Sequence, residues 1–293
     1  MALVDDVVLH GTVGIMMSFV KRLLPGLWLA AAVLATPSVA TAAERLVTLG
    51  GTVTEIVFAL GAGEQVVATD ASSLYPPQVV DLPQVGYYRS VPVEGVLSVR
   101  PDRVLASENA GPAVALRRIT ELGVPVERLT DRPALKSLYE RIQGIAGVLG
   151  RSRQADALIE KIDHDLALAT QAPQAPLRAV VLLNRTGSYM AAGEDTAAAA
   201  VLELAGLQNA MSAGKGYKPL SMEGLVALDP DVIVLTSATA TAVGGLEVFS
   251  QQPAVKATGA AASGRIGAVD DLLILGMGPR VAQAVRQLRD LAQ

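Results

Sequence analysis

The chain has 293 residues, 51% of them hydrophobic, and a formal net charge of −4 spread without long runs. That is enough for two domains of ordinary size with cores of their own, and it gives no electrostatic case for nucleic acid or an anionic membrane surface. Cysteine is absent, which excludes disulfides, cysteine-ligated iron–sulfur clusters, cysteine nucleophiles and lipid attachment through an N-terminal cysteine.

Residues 1–42 read as an export region. Lys21-Arg22 supply positive charge, Leu23 to Leu34 is apolar apart from Pro25 and Gly26, and Ala40-Thr41-Ala42 has the small residues of a cleavage site. An apolar stretch of about a dozen residues falls short of the roughly 20 needed to span a bilayer. Met1 to Ile15 has no evident role, and translation is expected to start at Met16 or Met17, giving a signal peptide over 16–42 and a mature N-terminus near Ala43. With no cysteine for lipidation, the exported chain is expected to be soluble in the periplasm of a Gram-negative cell.

Arg45 to Leu49 reads as a short strand, Gly50-Gly51 as a turn, and Thr52 to Leu60 as a helix with Thr52 as cap and Glu55 at the capping-box spacing. Val66 to Thr69 is a second strand, and Ser72 to Pro83 a loop. The next stretch, Gly86 to Asp102, concentrates the chemistry. It holds Tyr87, Tyr88 and Arg89, then a short amphipathic run after Glu94-Gly95, then Pro101 before the apolar strand Val104 to Ala106. Helices are predicted at Ala113 to Leu122 and Leu135 to Leu149, with a strand at Val126 to Leu129 between them. Strands alternating with helices argue for a parallel sheet.

From Ser152 to Ala169 the apolar positions keep helical spacing without glycine or proline, which predicts one helix about 27 Å long. Gln171 to Pro176 ends it. The pattern then restarts with a strand at Ala179 to Leu183, a loop at Asn184 to Glu194, and a helix from Asp195 or Thr196 to Ala205. Near the C-terminus come a strand at Ile266 to Val269, then Gly276-Met277-Gly278-Pro279-Arg280, then a helix at Val281 to Leu291. Glu94-Gly95 recurs as Glu223-Gly224 and Pro101-Asp102 as Pro230-Asp231 at one constant offset, so the halves read as copies of one design. The expected fold is α/β: two Rossmann-like lobes with parallel sheets, 43–150 and 173–293, joined by one long helix within 151–172. A single rigid connection suits a protein that traps a ligand between lobes. No G-x-S-x-G elbow or paired carboxylates stand out, and the only histidine past residue 42 is His164, within the linking helix; a hydrolase is disfavoured.

Five segments carry a family resemblance: R-L-V-T-L-G-G-T-V-T-E-I-V-F-A-L-G-A-G (Arg45 to Gly63), L-P-Q-V-G-Y-Y-R (Leu82 to Arg89), V-E-G-V-L-S-V-R-P-D (Val93 to Asp102), A-A-G-E-D-T-A (Ala191 to Ala197) and L-G-M-G-P-R (Leu275 to Arg280). Together they resemble the periplasmic haem-binding proteins of bacterial haem ABC importers, within the helix-linked group that also serves siderophores and cobalamin (class III periplasmic binding proteins). The resemblance implies haem as transported ligand, with an inner-membrane ABC permease dimer and its ATPase as partners and an outer-membrane haem receptor system upstream. It also implies that Tyr87, following the glycine, ligates the haem iron. A phenolate is a hard donor suited to Fe(III), and tyrosine is a known axial ligand. Because a free phenol titrates near 10, ligation at neutral pH calls for a nearby cation, and Arg89 occupies the family's basic position. Tyr88 is the rival ligand.

The second lobe supplies no histidine for a second axial bond, which favours one five-coordinate haem. Its loop offers Arg185 for a propionate, Tyr189 for the porphyrin face, and Met190 as a further pocket residue. Glu94 and Glu223 match the glutamates, one per lobe, that meet permease arginines in the wider group. They also suit helix N-termini electrostatically. A ferric-siderophore or cobalamin binder of the same fold remains the alternative, whereas the scarcity of histidine argues against the divalent-metal importers.

Overall fold

The structure, a computed structural model, describes residues 43–184 and 187–293. The expectations for 1–42 and for Arg185 lie outside the described residues. Glu44–Gln293 forms one compact unit holding every element below.

The first lobe runs β1 (Leu46–Leu49), α1 (Gly51–Ala59), β2 (Val66–Thr69), α2 (Val93–Ser98), β3 (Arg103–Ser107), α3 (Ala113–Glu121), β4 (Val126–Leu129) and α4 (Leu135–Leu149). Its four strands pair in the order β2-β1-β3-β4, all parallel. The linking helix α5 (Ser152–Ala169) follows. Next come β5 (Arg178–Asn184), β6 (Tyr189–Ala192), α6 (Ala197–Leu204), β7 (Gln208–Asn209), β8 (Tyr217–Pro219), α7 (Met222–Leu228) and β9 (Val232–Thr236). Four short helices, α8 (Ser237–Ala242), α9 (Leu246–Ser250), α10 (Pro253–Lys256) and α11 (Gly259–Ala262), lead to β10 (Ile266–Val269), α12 (Asp271–Gly276) and α13 (Val281–Leu291). The second sheet has the order β10-β9-β5-β6-β8.

Strand alternation explains how each sheet is covered on both faces. Leu46 and Leu105 point into one apolar cluster, while Val47, Val104 and Ala106 point into another on the opposite face. In the second sheet Ala179, Val181, Val232 and Val234 join the first of these clusters, and Val180, Leu182, Ile233 and Leu235 face a third. This period of two, with both faces apolar, is the signature of a doubly covered parallel sheet. The cluster shared between lobes also takes in Ile162 and Leu166 of α5 and Val285 and Leu288 of α13. The linking helix is thus packed into a core continuous through both lobes.

The repeat extends to individual hydrogen bonds. Asp102 accepts from the Arg45 amide at 2.8 Å, and Asp231 from the Arg178 amide at 2.8 Å. Arg45 reaches the carbonyls of Val99 and Arg100, and Arg178 that of Asp229. Arg100 and Asp229, which correspond in the repeat, both adopt left-handed backbone, with φ of 47° and 41°.

Three expectations need correcting. Thr52 does not cap α1: the helix begins at Gly51, its N-cap is Gly50, and no side chain caps it. Glu55 is engaged elsewhere, as described below. The predicted loop over 184–194 contains β6, which pairs antiparallel with β5 and β8, so the second sheet is mixed whereas the first is wholly parallel. The helix α12 was not anticipated. Thr196 does cap α6, accepting from the Ala199 amide at 3.1 Å.

Candidate ligand-binding cleft

The carboxyl ends of the parallel strands of the first lobe converge on a cavity of about 570 Å³, the place where open α/β sheets take their ligands. Gly50-Gly51 follow β1, Ser72 follows β2, Glu108 and Asn109 follow β3, and Asp131 and Arg132 follow β4; all line it. Tyr87, Tyr88 and Arg89 complete this wall. The second lobe contributes Asp195, Thr196, Gly216 and Tyr217, while Leu272, Leu275 and Met277 of the α12 segment add an apolar floor. The volume lies within the usual range for small-molecule sites, about 300–1,000 Å³.

Asp70, fully buried, anchors the tyrosine loop. Its carboxylate accepts from the Gly50 amide (2.8 Å), from the amide and hydroxyl of Ser72, from the Ser73 hydroxyl (3.1 Å) and from the Tyr88 amide (3.2 Å). The end of β1 and the Tyr87-Tyr88 backbone are therefore fastened to one group. Further backbone bonds join Ala71 to Gly86 (2.7 Å) and Gly111 to Tyr88 (2.9 Å). Gly86 has φ +110°, and a Cβ there would meet Pro92 Cγ at 2.9 Å. The turn that presents Tyr87 therefore requires glycine.

Tyr87 and Tyr88 meet edge to face with ring centroids 5.0 Å apart. Tyr87 is exposed (37%), whereas Tyr88 is half-buried and packs on the apolar cluster of its lobe. Arg89 Nε donates to the Tyr88 oxygen at 2.9 Å, and its guanidinium lies 5.1 Å from the Tyr88 ring centre. Burial raises the Tyr88 phenol above its ordinary value, and Arg89 only partly opposes this. Burial also works against the charge on Arg89, but the oxygens of Tyr88 and, more weakly, Tyr87 outweigh it and raise the guanidinium. Arg89 thus engages Tyr88 first and Tyr87 second, an order that the sequence reading did not foresee. Chemically, the loop offers one accessible phenol oxygen near a permanent cation, backed by a second phenol that resists ionisation.

The remaining expected site residues are dispersed. Tyr189 packs edge-on against Phe249, with centroids 5.9 Å apart, in the apolar cluster of the second lobe. Met190 pairs with Leu183 and Pro219 across the β5-β6-β8 ladder. Neither lines the cavity, because the strand that replaces the expected loop ties them into the sheet. His164 is exposed on α5. Glu94 and Glu223 are both exposed, in the first turns of α2 and α7. Ser221 caps α7 by accepting from the Gly224 amide at 3.1 Å, and the Glu223 carboxyl sits below its usual range because its own amide and the Ser221 hydroxyl favour the charged form.

The lobes are clasped by two arginines, Arg141 buried and Arg280 half-buried. Arg280 forms a two-pronged ion pair with Glu55, at 3.0 and 3.1 Å, and its guanidinium stacks 3.5 Å from the Tyr75 ring centre. Burial raises the Glu55 carboxyl above its ordinary value, against the pull of Arg280. Arg141, on α4, pairs with Asp131 and donates to the Met277 carbonyl at 2.8 Å. Asp131 in turn accepts from Ser107 (2.7 Å), so this contact reaches the cleft wall.

Two α/β lobes clasped by these arginines, joined by one long helix and open to a cleft at their strand ends, define a class III periplasmic binding protein. Residues 46–272 match the family model described as periplasmic binding protein, and the chain belongs to that family. It is similar to the periplasmic heme-binding protein RhuT from Roseiflexus sp. RS-1, solved in apo form, with 37% identity, a TM-score of 0.80 and coverage of 86% of this chain and 100% of that one. It is 29% identical, over 84% of its length and 79% of the other's, to YvrC of Bacillus subtilis, an uncharacterized ABC transporter substrate-binding lipoprotein. It is also 26% identical, over 72% of its length and 78% of the other's, to the vitamin B12-binding protein of Pectobacterium atrosepticum.

Proposed function

We propose that this chain captures haem in the interlobe cleft, with Tyr87 as the phenolate ligand to ferric iron, and delivers it to an ABC importer. The observation that carries this reading is the exposed Tyr87 phenol, presented into the cavity by a loop that Asp70 fastens to the end of β1. A bound ferric ion supplies positive charge that favours phenolate over phenol, and Arg89 adds to it. Tyr88 suits the role less well, because burial opposes its ionisation and its ring is committed to the core. The apolar floor of Leu272, Leu275 and Met277 suits a porphyrin, and Arg132, exposed on the same wall, suits a propionate. The likeness to RhuT supports haem, and the likeness to YvrC supports an ABC transporter as partner.

Glu94 and Glu223, exposed at equivalent places in the two halves, are proposed to dock on a two-fold permease, as a repeated surface suits a symmetric partner. The export region over 1–42 would place the chain in the periplasm. Similarity to a vitamin B12-binding protein keeps a cobalamin or ferric-siderophore ligand as the second reading. Titration of the purified protein with hemin, cyanocobalamin and a ferric catecholate separates them: saturable binding of hemin alone is expected, and preference for either of the others would overturn the haem reading.

A further inference from the structure

Among the described residues, Arg141 is the largest fully buried side chain, at 1% exposure, and it stands on α4 of the first lobe. A guanidinium cut off from water must spend its N–H groups on protein oxygens. Its Nη1 donates to the Thr130 carbonyl at 3.0 Å and pairs with the Asp131 carboxylate, while its Nη2 donates to the Met277 carbonyl at 2.8 Å. Thr130 and Asp131 follow β4, and Met277 closes α12. Met277 is held in left-handed backbone, with φ of 50°, a conformation that a residue with a side chain keeps only where its surroundings fix it. Asp131 and Met277 both line the cleft, so one side chain grips an edge of each wall without lining the cavity itself.

On the first-lobe side the grip spreads through Asp131. Its other carboxylate oxygen accepts from the Ser107 hydroxyl (2.7 Å) and from the Asn109 side-chain amide (3.3 Å), and its backbone amide donates to the Glu108 carboxylate at 2.6 Å. The Ser107 oxygen also accepts from the Asn109 backbone amide at 3.0 Å. The loops that follow β3 and β4 are thus set by the same buried charge. On the second-lobe side the bond to Met277 fixes the end of α12, whose Leu272 and Leu275 form the apolar floor. The Arg280–Glu55 clasp differs, because neither of its residues lines the cleft.

We infer that Arg141 is a positioning residue of the ligand cleft, fixing the wall that carries Asn109 and Asp131 relative to the α12 floor, so that ligand affinity depends on it. This rests on the reading of the interlobe cleft as the ligand site, and Arg141 reaches the ligand only through those walls. Lysine keeps a charge beside Asp131, but its single ammonium cannot span Thr130, Asp131 and Met277 as the flat guanidinium does. Losing one hydrogen bond to a charged group is worth roughly tenfold in an equilibrium constant.

The test compares Arg141→Lys with Arg280→Lys in the full mature protein, each melted and each titrated with hemin and with metal-free protoporphyrin IX. Both variants should lose thermal stability. Arg141→Lys should weaken both ligands by about tenfold while keeping the phenolate-to-iron band of bound hemin, whereas Arg280→Lys should bind both within about twofold of wild type. Wild-type affinity in Arg141→Lys would overturn the inference, as would an equal loss in Arg280→Lys, which would make both clasps supports of the fold and nothing more. If Arg141→Lys does not fold, Ser107→Ala takes its place, since it frees one oxygen of Asp131 without touching the cavity. A loss of about threefold in affinity is then expected, and an unchanged affinity overturns the inference. Wild-type protein that leaves hemin unbound overturns the haem reading alone. Arg141→Lys is then compared with wild type on whichever of cyanocobalamin and the ferric catecholate binds, and the same outcomes decide.

Discussion

Replacing Arg280 by methionine removes the cation from a site that water scarcely reaches. Glu55 is 3% exposed and Arg280 18%, so the carboxylate left behind has little solvent to turn to. Removing one partner of a buried pair costs about 3–5 kcal/mol. For a unit of this size each kcal/mol lowers Tm by about 2–4 °C, so a fall of roughly 10 °C is expected at pH 7. The loss should depend on pH, and its sign follows from Glu55. Burial raises its folded pKa above the unfolded one, so the stability it contributes is present below the unfolded value and is lost as pH rises through the folded value. Without Arg280 the folded value rises further, so the gap between wild type and Arg280→Met should narrow between pH 7 and about 4.5, the ordinary glutamate value. Adding Glu55→Gln to Arg280→Met should restore much of the stability at pH 7, since a neutral amide replaces the stranded charge. Thermal unfolding followed by circular dichroism at both pH values measures this. A gap independent of pH, or a double variant no more stable than Arg280→Met, would refute the reasoning.

Charge reversal at both Glu94 and Glu223 should abolish haem uptake by cells while leaving hemin affinity unchanged, because neither residue lines the cleft; uptake assays beside hemin titration check it. Gly86→Ala must strain a backbone at φ +110° and crowd Pro92, at a cost of about 1–3 kcal/mol; denaturant unfolding should show that loss, and hemin affinity should fall as Tyr87 is displaced. The raised Tyr88 phenol should titrate above the ordinary tyrosine value, so ultraviolet titration of Tyr88→Phe should lack a late step present in wild type. Its stabilising effect, present below the unfolded phenol value, should fade as pH climbs through the folded one.

What could be read from the chain was whatever repeats at short range. The apolar runs at β3 and β5, buried on both faces, announced strands, and the unbroken 3.6-residue spacing of Ser152 to Ala169 matched α5 end to end. The paired Glu-Gly and Pro-Asp motifs revealed the repeat because each Asp closes the same local bond to the start of a neighbouring strand. Contacts between distant segments left no such trace. Glu55 looked like a capping residue because its spacing from Thr52 fits one, while its actual partner, Arg280, comes from the far end of the chain. Tyr189 looked like a loop aromatic because Tyr-Met-Ala-Ala is too short to show alternation, and β8, three residues ending in Pro219, is shorter still. Tyr217, which lines the cleft, escaped notice, although Gly216-Tyr217 before Glu223-Gly224 echoes Gly86-Tyr87 before Glu94-Gly95, and that echo was the signal available.

The central claim concerns one oxygen atom, and the absorbance and resonance Raman spectra of the protein with one equivalent of hemin address it most directly. Wild type should show high-spin ferric haem with a phenolate-to-iron charge-transfer band. Tyr87→Phe, which keeps the ring and removes only the donor, should lose that band, while Tyr88→Phe should retain it. Persistence of the tyrosinate signature in Tyr87→Phe, with its loss in Tyr88→Phe, would contradict the account by moving the ligand to the buried phenol.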